Sequence, residues 1–162
     1  MKKILLTTAA AVTFALPALA CDLEVHDAYA RTSTAMSQSG AAFMHIMNNS
    51  ATECRIIGAR SDVAQRVELH THLEDDNGVM RMVELEGGIT VPAQSMHALE
   101  RGGDHVMFLG LNQSLSHGDD VAVTLVLENG DELAIVIPVD LERTTDHGGG
   151  HNHSHGHTHS HN

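Results

Sequence analysis

From residue 23 to residue 139 the chain is cut at short intervals by clusters of turn-formers. These are Asn48-Asn49-Ser50, Asp75-Asp76-Asn77-Gly78, Glu86-Gly87-Gly88, Arg101-Gly102-Gly103-Asp104, His117-Gly118-Asp119-Asp120 and Glu128-Asn129-Gly130-Asp131. Gly, Asn and Asp reach the backbone conformations that tight turns need, so each cluster ends an element. No stretch between them sustains a helical period, whereas Val121-x-Val123-x-Leu125-x-Leu127 alternates as a strand does. Asn129-Gly130, set between two apolar runs, is a strong hairpin signal. Strands are expected at 23–31, 42–47, 54–59, 66–70, 79–85, 95–99, 105–109, 121–127 and 133–139. So many short strands imply an all-β domain, a sandwich or a small barrel. With one tyrosine, three phenylalanines and no tryptophan, its core must come from Val, Ile, Leu, Ala and Met.

The two ends of the chain read differently. Met1-Lys2-Lys3, a short apolar run and Ala18-Leu19-Ala20 make a secretory signal over residues 1–20, cleaved before Cys21. No later stretch is apolar for long enough to span a bilayer. Both lysines belong to that signal, so seven basic residues, all arginine, face 21 acidic ones, a formal charge of −14. Such a surface repels nucleic acid and attracts cations or basic partners. In an exported chain Cys21 and Cys54 can close a disulfide. The competing use of Cys21 is a lipid anchor, although Ala18-x-Ala20 fits ordinary cleavage better. A single domain over residues 21–143 is the expectation.

Beyond it, residues 144–162 begin as a Thr/Gly joint. His147 precedes a tail in which His151, His153, His155, His157, His159 and His161 alternate with small polar residues. Without apolar residues this segment cannot bury a core and should be disordered. Its nitrogen donors, free of any fixed geometry, suit Cu(II), with Zn(II) as a second ion.

Within the domain, three expected strands each carry two metal-friendly side chains at i and i+2: His70-x-His72, Met80-x-Met82 and His105-x-Met107. Side chains two apart on a strand share a face, so each strand aims two donors at one region. Thioethers with imidazoles and no nearby thiolate favour Cu(I) over zinc, calcium or magnesium. A blue-copper electron carrier would need a cysteine among these ligands. Met36, Met44, Met47 and Met96 read as packing, and His26, His45, His97 and His117 as isolated surface or hydrogen-bonded groups. His72 borders the acidic turn, where exposure alone would explain it.

In order, Val67-Glu68-Leu69-His70, Gly78-Val79-Met80-Arg81-Met82, Val91-Pro92-Ala93 and Gly102-Gly103-x-His105-x-Met107 resemble the periplasmic PCuAC copper-chaperone family across essentially the whole domain. The resemblance implies a cupredoxin-like, immunoglobulin-like β-sandwich that carries Cu(I) to the copper centres of cytochrome c oxidase. Its partner would be an oxidase subunit or another periplasmic copper-assembly protein. It also implies a ligand set of His70, Met82, His105 and Met107. The family pattern is His, ten residues, Met, twenty-one residues, His-x-Met. Here eleven residues separate His70 from Met82 and twenty-two separate Met82 from His105. Met80 and His72 therefore stay open as additional donors. No nucleophile–base pattern or phosphate loop suggests an enzyme. Two further readings are a zinc or copper buffer working through the tail, and a structural sandwich without metal.

Overall fold

The computed structural model describes residues 20–34 and 36–144. The signal segment and the histidine tail lie outside these residues. Ten strands form among those described: β1 (Leu23–Arg31), β2 (Ser39–Asn48), β3 (Cys54–Arg60), β4 (Ala64–Glu74), β5 (Met80–Glu84), β6 (Ile89–Val91), β7 (Ser95–Leu99), β8 (His105–Leu111), β9 (Asp120–Leu127) and β10 (Glu132–Pro138). They build two antiparallel sheets. The larger runs β1-β2-β8-β4-β5, with β7 also paired to β2; the smaller runs β10-β9-β3-β6. The all-β sandwich is therefore as expected, two stacked sheets and not a closed barrel. Among the described residues no helix is long and apolar enough to cross a membrane.

Alternation drives the stacking. Ala42, Met44 and Ile46 of β2, Leu69 of β4, and Val106 and Phe108 of β8 point inward. They meet Ile56, Val91, Val121, Val123, Leu125 and Ile137 of the smaller sheet. Each fully buried aliphatic side chain contributes roughly 1.5–3 kcal/mol. Phe108 is the one aromatic ring enclosed entirely in this core, at 0% exposure among the described residues.

Most strand bounds match the expectation within a few residues, and the departures have causes. Strand β6 is an addition to the expected set, because three residues between Gly88 and Pro92 show no period. It pairs with β3 all the same, and Gly88 (φ 73) packs so closely that a Cβ would meet the Ile56 carbonyl. Strand β4 continues to Glu74, well past His70. Its polar end is held by the turn that follows. There Asp75 accepts backbone N–H groups of Asn77 and Val79 at 3.0 Å each, and those bonds, Val79 first, hold its carboxyl below the usual range.

Cys21 and Cys54 are joined by a disulfide, with Cα atoms 5.8 Å apart. It ties the segment before β1 to the start of β3. A thioether-linked lipid would need the same Cys21 sulfur, so the two fates of that residue exclude each other. Nearby, fully buried Asn48 donates to the carbonyls of Thr52, Val91 and Pro92 and accepts from the Ser50 N–H. Beyond the last strand Arg143 lies 4.3 Å above the Tyr29 ring and pairs with Asp27. The Asp27 carboxylate raises the Arg143 pKa above its ordinary value.

Packing explains fewer methionines than their composition suggests. Met44 is core at 1% exposure, but Met36 and Met96 are 90% and 57% exposed, so the reading of those two as packing is corrected.

Candidate metal centre

The side chains that face away from the core on β4, β5 and β8 form one patch. Because Val106 and Phe108 point inward, His105 and Met107 point outward. Because Leu69 and Thr71 point inward, Glu68, His70 and His72 point outward. Strand β4 lies between β8 and β5, so register decides who meets whom. His70 sits opposite His105 and Glu68 opposite Met107. On the other side, His72 sits opposite Met82 and Glu74 opposite Met80. Directly opposed residues share a face, with Cβ atoms about 4.5–5.5 Å apart.

His105 anchors the patch. It is 2% exposed, with Phe43 beside it at 5.9 Å, His72 stacked at 5.3 Å and His70 tilted at 6.0 Å between ring centroids. Its Nδ1 lies 3.0 Å from the Gly103 carbonyl. A carbonyl only accepts, so Nδ1 carries the proton and Nε2 presents its lone pair. Burial, first of all, holds the His105 pKa below its ordinary value of 6.5; the neighbouring His72 and His70 act in the same direction, and the Gly103 bond opposes them. Neutral imidazole is the form that ligates a metal.

The other two imidazoles are also poised. His70 Nε2 lies 2.8 Å from Glu68 Oε2, which leaves Nδ1 as its free nitrogen. Nδ1 of His70 and Nδ1 of His72 are both buried without a hydrogen-bond partner. An unpartnered buried polar atom costs roughly 1–3 kcal/mol, and a cation bound between the strands would relieve that cost. A cavity of about 310 Å³ opens beside them, lined by His72, Met82, His105, Met107 and Phe43 and capped by Arg101 and Gly102 of the β7–β8 turn. His70 flanks this cavity through its contact with His105.

The four residues of the inferred ligand set, His70, Met82, His105 and Met107, thus lie on one face of three adjacent strands, and His72 joins them. Met80 is one cross-strand row farther out and 53% exposed. Among the described residues no three His, Cys, Asp or Glu groups are arranged to hold a metal on their own. The thioethers of Met82 and Met107 line the cavity beside the imidazoles of His72 and His105. In sequence His72 stands at a turn border; the signal pointing to the site is its i+2 spacing from His70. The seven tail histidines lie outside the described residues.

A family model for LpqE-like lipoproteins matches residues 23–139. A protein of Leifsonia xyli subsp. xyli, named as a lipoprotein, is 33% identical over 99 residues, which cover 61% of this chain and 59% of that relative's length. Among solved structures, the Cu(I) form of DR1885 from Deinococcus radiodurans is 30% identical, covering 73% of this chain and 79% of its own, with a TM-score of 0.55. Its apo form is 26% identical, covering 86% and 95%, with a TM-score of 0.57. The copper-bound PCuAC domain of PmoF2, at 20% identity and a TM-score of 0.59 over 74% of this chain and 92% of its own, shares the fold. The family's lipoprotein name, like the disulfide, is that of an exported protein. The matched span runs from the first residue of β1 to just beyond β10, and the chain belongs to the LpqE-like family of PCuAC domains.

Proposed function

We propose that this protein is a periplasmic copper chaperone. It holds Cu(I) on the outer face of β4, β5 and β8 and passes it to the copper centres of cytochrome c oxidase. The observation that carries this reading is the convergence of Met82 and Met107 with His105 and two buried imidazoles whose Nδ1 atoms lack partners. The ligands are His70 through Nδ1, His105 through Nε2, and the sulfurs of Met82 and Met107, with His72 as the neighbouring spare donor. All four are uncharged, so the bound Cu(I) keeps one positive charge and needs no buried anion. Oxygen-seeking ions find no oxygen among these four ligands. Met82, 46% exposed on the edge strand β5, leaves the ion open on one side. A recipient can therefore insert its own ligand before the others let go.

The tail complements this site by binding Cu(II). The rings of Tyr29 and Phe43 are 5.2 Å apart, and Phe43 adjoins His105. Arg143, next to the last described residue, lies over the Tyr29 ring and so continues this run of rings. The second reading, a zinc or copper buffer working through the seven histidines, rests on that tail alone.

X-ray absorption on the Cu(I)-loaded full chain tests the proposal. Sulfur beside nitrogen is the expected shell; nitrogen or oxygen alone would overturn it. Replacing Met107 by Leu and His105 by Asn together separates the two readings, since a tail buffer would keep its full capacity.

A further inference from the structure

The chain contains a second His-x-Met strand motif, His45-Ile46-Met47, on β2. Ile46 is fully buried, so His45 and Met47 point outward, to the same face as His105 and Met107. Strand register then completes the set. His26 of β1 lies directly opposite His45, just as His70 lies opposite His105. Met96 of β7 lies directly opposite Met47. An opposed pair of imidazoles on the β1 side of β2 and an opposed pair of thioethers on its β7 side thus share one face of three neighbouring strands, the same donor types as in the first patch.

We propose that His26, His45, Met47 and Met96 form a second binding site for a soft monovalent cation, Cu(I) or Ag(I). Exposure supports a ligand role over packing. Met96 is 57% exposed and has no place in the core. Met47 is only half-buried on the solvent face of β2. A pair of opposed, accessible thioethers beside two opposed imidazoles offers what such an ion requires and what zinc or calcium does not. His26 Nε2 lies 3.6 Å from Glu24 Oε1, an ion-pair distance that places a negative charge beside the bound cation. Phe43, two residues before His45 on the same face, separates this patch from His105. One sheet face would then hold two ions with an aromatic side chain between them. The site stands on β1, β2 and β7 alone and does not depend on the function proposed above.

The test is a titration of the full chain, labelled with ¹³C at the methionine methyl groups, with Ag(I) followed by NMR. The tail contains no methionine, so its binding is silent in this readout. The expected result is movement of the Met82 and Met107 signals and separate movement of the Met47 and Met96 signals, complete by the second equivalent bound to the folded domain. The variant His45→Asn should abolish the Met47 and Met96 response and leave that of Met107 unchanged. If Met47 and Met96 stay still while Met107 moves, the second site does not exist and the first survives. If none of the four moves, both fail. If Met47 and Met96 still respond in the His45→Asn variant, the site as drawn is overturned.

Discussion

Glu68 offers the sharpest test of which imidazole on β4 holds the ion. Its carboxylate is 2.8 Å from His70 Nε2 and also 2.9 Å from Arg66. If His70 ligates through Nδ1, Glu68 fixes the tautomer and makes the ring a better donor. Losing such a partner typically weakens metal affinity about 10–100-fold, or roughly 1.4–2.7 kcal/mol. The change Glu68→Gln keeps the shape of the side chain. It removes the ion pair with exposed Arg66, a surface interaction of at most about 1 kcal/mol, so the fold should persist. Competition of the purified protein against a chromophoric Cu(I) chelator measures the change. His70→Ala should show a loss at least as large, and His72→Ala a smaller one. Affinities for Glu68→Gln and His70→Ala both within twofold of the parent, with a large loss for His72→Ala, would refute the assignment. The ligand from β4 would then be the histidine opposite Met82.

Three further outcomes are expected. Reducing the Cys21–Cys54 disulfide, which spans 33 residues, should lower unfolding free energy by up to about 4 kcal/mol from loop closure alone. Urea unfolding with and without reductant reads the difference, and no change would show that the crosslink contributes nothing. Because His105 titrates below 6.5 when folded, the unfolded chain binds its proton first as pH falls. Its contribution to stability is therefore complete above pH 6.5 and declines below that value toward the folded pKa. Thermal unfolding of the copper-free protein should show a fall over this window that is absent in His105→Asn. Cutting the chain after Asp146 should lower the number of Cu(II) ions bound, as counted by isothermal titration, and leave Cu(I) affinity unaltered; unchanged Cu(II) stoichiometry would reject the role of the tail.

Periodicity and turn chemistry are local, and whatever depends on them alone is legible in the chain itself. The alternation from Val121 to Leu127 and the glycine-bearing turns specify strands, and strands this short and numerous specify a sandwich. The i, i+2 rule likewise puts His105 with Met107, and Met80 with Met82, on common faces whatever the topology of the sheet. Which strands become neighbours is different, because it is decided by how Leu69, Val106 and Phe108 pack against the opposite sheet. Spacing along the chain does not encode that packing. Only the folded register brings His72 against Met82 and His105, or His26 against His45 from nineteen positions away. It also turns Met96, which composition alone assigns to the core, outward beside Met47. A strand brings its own ligands to one face by geometry; meeting ligands from another strand requires burial of a core that no single segment contains.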